Sequence, residues 1–156
     1  MDMKPGKKIG VSTEKYDIDK KFCNCFGCSP NNPDGMQLKV EAADGHAAAD
    51  YVPPKKTEGL TGLMHGGFSM MLMDEIMYYS VESLGCDSVA LHTETDFKGR
   101  AYIGHKLRAE GHVERREGRK FYTVGRLWDT ETGEDVVTAT GLYYEVDLNQ
   151  FLPDEA

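Results

Sequence analysis

His65-Gly66-Gly67 runs directly into Phe68-Ser69-Met70-Met71-Leu72-Met73-Asp74-Glu75-Ile76-Met77-Tyr78-Tyr79. Two glycines at the start of a helix leave backbone N–H groups open to approach. Those groups, together with the helix dipole, favour a developing negative charge. The helix that follows is apolar nearly all round, and such a helix is normally buried. It nevertheless carries two adjacent carboxylates, which are costly to bury unless something satisfies or uses them. Anion-binding amides and an acid two turns away are the parts of a hydrolytic site.

The two acids cannot share one small site, because adjacent helical residues point about 100° apart. Asp74 is the favoured acid, Glu75 the alternative, and Glu75 then needs a basic or hydroxyl partner. Burial among methionines would raise the Asp74 pKa towards a useful range. Taken alone, a Gly-Gly helix start also makes an ordinary tight loop, and one carboxylate can be a satisfied polar group at a subunit contact. Met64, Met70, Met71, Met73 and Met77 read as core, and methionine also adapts to varied apolar ligands.

These residues are carried on 156 residues, enough for one domain with a proper core. The net charge of −8 argues against general nucleic-acid binding. Cations nevertheless gather at Lys98, Arg100, Lys106 and Arg108, and again at Arg115, Arg116, Arg119 and Lys120. Such a run is either a solvated strand end or a landing site for phosphates. No apolar run has the length of a membrane span. Nor does one follow the charged first eight residues as a secretory signal would, so a cytoplasmic protein is expected.

Of the four cysteines, Cys23, Cys25 and Cys28 fall within six residues and Cys86 stands apart. Three thiolates leave a tetrahedral zinc site one ligand short, and no second pair or His-x3–5-His run completes it, although His46 or Cys86 could. A reducing compartment disfavours disulfides. No metal is therefore expected, and a structural N-terminal segment is the simpler reading.

The elements that must position the candidate residues follow from periodicity. Residues 1–21 lack it and read as an N-terminal arm. Met36 to Ala42 alternates as a half-buried strand, Ala43-Asp44-Gly45 turns, and His46 to Val52 returns. The helix spans about Gly67 to Leu84 and closes at Gly85. Four strands follow: Ser88–Phe97, His105–Arg115, Lys120–Asp129 and Asp135–Asp147, the last three joined by turns at Glu117-Gly118 and Glu131–Glu134. One apolar helix with six strands implies an α+β fold, a curved antiparallel sheet wrapped around that helix. The sheet would leave edges and part of the helix bare, so a homodimer at least is expected.

In this spacing and order the sequence resembles the hotdog-fold acyl-CoA thioesterases, specifically the PaaI-type (phenylacetate-pathway) group. His65-Gly66-Gly67 with Asp74 nine residues beyond the histidine fits that group's helix signature. Cys25-Phe26-Gly27-Cys28-Ser29-Pro30-Asn31-Asn32-Pro33-Asp34-Gly35-Met36 resembles its N-terminal CFxCGPxNPxGL segment. The β-β-α-β-β-β-β order matches too, so the resemblance covers about residues 22–147. The domain is bounded at 22–150, with 151–156 as a tail.

The resemblance implies hydrolysis of an acyl-CoA thioester, to free acid and CoA, at a site between two subunits. The Gly67 or Gly66 amide would polarise the carbonyl, and Asp74 from the partner's helix would act as general base or nucleophile. His65 would shape the loop near the carbonyl. Met64, Phe68 and Met70 would line the acyl site, and Lys98, Arg100, Lys106 and Arg108 would meet the CoA phosphates. CoA enters as part of the substrate, no cofactor is implied, and a dimer of dimers (a homotetramer) is the larger assembly open to the fold.

Three positions depart from the group's pattern. Thr57-Glu58-Gly59-Leu60-Thr61-Gly62 lacks the Asn or Gln that some members carry there. The Ser or Thr of the following strand falls near Ala90; Thr93 and Thr95 are the close substitutes expected to meet substrate, though strict alternation puts them on the opposite face from Ala90. Arg100 stands where a proline is common. The competing functions are a non-catalytic acyl-CoA or apolar-ligand binding module, a metal or redox protein organised by the cysteines, and a hotdog dehydratase.

Overall fold

A computed structural model describes residues 24–153. The expected arm at 1–21 and Cys23 lie outside the described residues, as do 154–156 at the end of the expected tail. The elements are β1 (Glu41–Ala43), β2 (His46–Tyr51), a 3-10 turn (Lys55–Thr57), α1 (Gly66–Glu82), β3 (Ser88–Phe97), β4 (Leu107–Glu117), β5 (Lys120–Asp129), β6 (Asp135–Glu145) and a short α2 (Leu148–Phe151). All strands pair antiparallel in one sheet of order β1-β2-β4-β5-β6-β3, curved around α1. This is the architecture expected from the sequence, a hotdog fold.

The sheet can curl around α1 because the row beneath the helix is nearly bare of side chains. Ala47, Gly111, Gly125 and Ala139 are successive cross-strand neighbours on β2, β4, β5 and β6. A Cβ on Gly111 would stand 2.8 Å from Ile76 Cγ2, and one on Gly125 would stand 3.1 Å from Met73 Sδ. The helix therefore seats Met73, Ile76 and Met77 directly on backbone, and these are buried together with Leu72 and Val81. Burying each such side chain is worth about 1.5–3 kcal/mol.

The first strand is shorter than its alternation suggests. Met36 and Leu38 are buried, but their N–H groups donate to the carbonyls of Phe26 and Gly27, at 2.7 and 2.9 Å, instead of extending the sheet. A local loop satisfied those donors before a strand partner could. The helix ends at Glu82, with Gly85 at φ +83° turning the chain away. β4 begins two residues later than expected and β6 ends at Glu145. Among the described residues no helix is long and apolar enough to cross a membrane.

Candidate active site

α1 is not buried all round. Gly67, Met70 and Asp74 are exposed, and Met71, Glu75 and Tyr78 are partly so. The positions 67, 70, 74 and 78 recur at helical spacing and form one open stripe. The stripe starts at the His65 motif and passes through Asp74.

At the helix start, His65 is the N-cap and its Nδ1 accepts the Gly67 N–H at 3.0 Å. The Gly67 amide expected to be bare is thus engaged by its own motif. The Gly66 N–H, at the first helical position, has no acceptor within the helix. The ring of Phe97 on β3 lies against Gly66, where a Cβ would come within 2.9 Å of Cε1. Glycine here lets an aromatic ring or a ligand reach the backbone.

Two turns on, Asp74 is exposed in this chain, so the burial expected for it is corrected. Its Oδ1 accepts a 2.5 Å hydrogen bond from the Tyr143 hydroxyl, which also lies 3.1 Å from the Asp74 carbonyl oxygen. Tyr143 is 1% exposed, and burial followed by the charge of Asp74 pushes its phenol far above the usual range. It stays protonated and donates, aiming the carboxylate. Gly141 makes room, since a Cβ there would meet the Tyr143 ring at 2.7 Å. Sequence reasoning missed Tyr143: one aromatic in the last strand carries no local signal, though its inward register after the Gly133 turn could have been counted.

Glu75 points elsewhere, as its helical offset requires. Its carboxylate lies 3.7 Å from Cys25 Sγ, and a Cβ on Gly27 would overlap it. The expected basic or hydroxyl partner is a thiol pair instead. Burial, then the neighbouring Cys25, pushes the Glu75 carboxyl up to about 8. Cys25 is drawn down by hydrogen bonding from the Cys28 thiol, against desolvation, and Cys28 as the donor is pushed up.

On β3 a bulge between Ala90 and His92 resets the alternation. Ala90 pairs with Tyr143, Thr93 with Gly141 and Thr95 with Ala139. Cross-strand partners share a face, so Thr93 and Thr95 lie on the same side as Ala90 and Tyr143. The strict alternation read from the sequence is therefore corrected, and both threonines join the face that carries Tyr143. Phe97, paired with Val137, continues that face to Gly66. The concave side of β3 thus runs alongside the open stripe of α1. β3 is also an edge strand, exposed over most of its length, with Leu91 and Phe97 both 56% exposed.

The other candidates are scattered more widely. Met64 is buried, Phe68 is partly buried and stacks with Phe26 at 6.3 Å between ring centroids, and Met70 is 46% exposed. Lys106 and Arg108 are committed to Asp50, each at 3.2 Å, and Arg108 also reaches Glu110 at 3.2 Å. Lys98 leans on Asp96 at 3.7 Å, whereas Arg100 hydrogen-bonds the Tyr102 hydroxyl at 3.2 Å. The cationic run is largely a set of local ion pairs, with Arg100 on a neutral hydroxyl and near the charge of Glu134.

With this geometry in view, residues 61–136 match the family model of the thioesterase superfamily. The fold is similar to a hypothetical thioesterase protein from Streptococcus pneumoniae solved with coenzyme A: TM-score 0.66, 22% identity, 70% of this chain and 88% of that one. A Streptococcus mutans protein bound to acetyl-CoA gives 0.66 and 19%, over 70% and 88% of the two chains. The PaaI protein of the phenylacetic acid degradation operon of Escherichia coli gives 0.67 and 17%, over 72% and 81%. No curated protein matches the chain. The resemblance read from the motifs therefore holds: this is a hotdog-fold chain whose residues 61–136 match the thioesterase superfamily.

Proposed function

We propose that the protein hydrolyses an acyl-CoA thioester in a homodimer, with each site assembled from the His65 motif of one chain and Asp74 of the other. The observation that carries this reading is the separation of the two halves on one open helix face. Asp74 lies seven residues beyond Gly67, about 10 Å of helix rise. A base must reach its water, and the water its carbonyl, within hydrogen-bond distances. One helix therefore cannot apply both halves to the same carbonyl. Two helices running antiparallel about a twofold axis place each N-terminus opposite the other's acid. The free edge of β3 and the open stripe beside it are the surfaces such pairing would cover.

In the reaction the thioester carbonyl lies against the Gly66 N–H, or against Gly67 if His65 swings away, and the dipole of α1 stabilises the oxyanion. Asp74, held by Tyr143, takes a proton from water as the water adds. Collapse of the tetrahedral intermediate then expels the CoA thiolate. The alternative, with Asp74 as nucleophile, passes through a mixed anhydride that water opens. Thr93 and Thr95 offer hydroxyls on the same face, and Arg100 is the cation most available to a CoA phosphate. CoA bound to the two streptococcal relatives of like fold supports the substrate class.

The test is thiol release from a panel of short, long and aromatic acyl-CoAs, run alongside sedimentation. Turnover of at least one ester by a dimer is expected. Stabilisation by CoA esters without turnover would replace hydrolysis by the binding-module reading.

A further inference from the structure

We propose that Cys25, Cys28 and Glu75 form a zinc site that pins the N-terminal segment to the middle of α1. The three ligand atoms, two sulfurs and a carboxylate oxygen, all lie within 4.8 Å of one another, with Cys25 Sγ and Glu75 Oε1 3.7 Å apart. Zinc with bonds of about 2.3 Å to sulfur and about 2.0 Å to oxygen needs tetrahedral edges of about 3.8 and 3.5 Å. The trio therefore closes on an ion with small side-chain movements. Glu75 supplies the ligand that the cysteine spacing alone lacks, from fifty residues away in the chain. Neither His46 nor Cys86 belongs to this cluster, and Cys23 lies outside the described residues.

The loop around the trio is built for it. Cys25-Phe26-Gly27-Cys28 has the C-x2-C ligand spacing of zinc knuckles. The Cys25 sulfur takes hydrogen bonds from the N–H groups of Gly27 and Cys28, an arrangement that stabilises a metal-bound thiolate. The loop is closed by Ser29 N–H donating to the Cys25 carbonyl at 3.1 Å, and Gly27 brings its backbone onto the Glu75 carboxylate. A second observation is independent of these. The Tyr79 hydroxyl is buried, and after burial the group acting on it most strongly is Cys28. A Cys28 thiolate on zinc would accept that O–H, as outer partners of metal ligands do.

The donor set selects the metal class. Two thiolates and one carboxylate suit a borderline ion such as zinc, whereas calcium and magnesium require oxygen ligands and an iron–sulfur cluster wants four thiolates. Zinc displaces the protons that the three ligands carry, so affinity rises with pH. Two sulfurs and one oxygen leave the fourth tetrahedral position for a further donor.

The test uses the full chain, purified under reducing conditions without chelator. Elemental analysis is expected to give one zinc per chain, and cobalt added to stripped protein should produce a thiolate-to-metal charge-transfer band. Cys28→Ser and Glu75→Gln should each weaken zinc more than the about 10–100-fold lost with an outer partner. Since either variant could fail to fold, the wild-type cobalt titration stands by itself. Stripped wild-type protein that binds neither zinc nor cobalt at micromolar concentrations, or a Cys25–Cys28 disulfide in place of the metal, overturns the proposal. Because metal is read by binding and spectrum, its failure is distinct from any failure of hydrolysis.

Discussion

Asp74 and Glu75 are adjacent on α1, yet one opens to solvent beside Tyr143 and the other points into the cysteine loop beneath Gly27. The helical offset separates two nearly identical carboxyl groups into two different surroundings. On the open side, a donor buried in β6 aims a carboxylate at a surface that a second chain can complete. On the closed side, backbone pressed against the carboxylate leaves no room for substrate but fits a small fixed ligand. The surroundings of each acid therefore follow the face of the helix, not the residue type.

The largest expected effect lies on the open side. Asp74→Asn removes the base while keeping shape, and thiol release should fall by about a hundred- to ten-thousand-fold with an unchanged melting curve. Full activity there would end the comparison. Leu91→Arg places a charge on the free β3 strand, and burying it unpaired between chains should raise the dimer dissociation constant at least about thirtyfold, read by sedimentation. Activity should then fall in step with the dimer fraction.

Gly111→Ala probes the sheet-facing side of α1 instead. Its new methyl meets Ile76 and the Val124 carbonyl, at 2.8 and 2.9 Å. Overpacking of that kind should cost about 1–3 kcal/mol in denaturant unfolding. Tyr143→Phe links the core to the open side, since the ring stays in the core while the donor to Asp74 is lost. A loss of about 1 kcal/mol of stability and a fall in kcat with KM little changed are expected. Smallest is Arg100→Ala, which should raise KM for CoA esters a few-fold, an effect that shrinks at high salt.

Much of this molecule is legible in local sequence. The strands Ser88–Phe97 and Lys120–Asp129 stand at the expected bounds, and the helix begins at the glycine pair, because alternation, turn residues and capping act over a few neighbours. Register is less legible. The bulge after Ala90 moves Thr93 and Thr95 to the other face, and nothing local announces a single extra residue. The exposure of Asp74 was equally hidden, since an apolar helix of this kind is half covered by its own sheet and half left to another surface.

The sequence by itself determined the order of elements, the glycine-led helix and the acid nine residues beyond its histidine, all set by short-range patterns. Tertiary structure alone decided that Tyr143 meets Asp74 and that Cys25 and Cys28 meet Glu75, pairs 69 and about fifty residues apart. Such meetings depend on how the sheet curls over the helix. That curvature comes from the row of Ala47, Gly111, Gly125 and Ala139 on four separate strands, which only folding brings side by side.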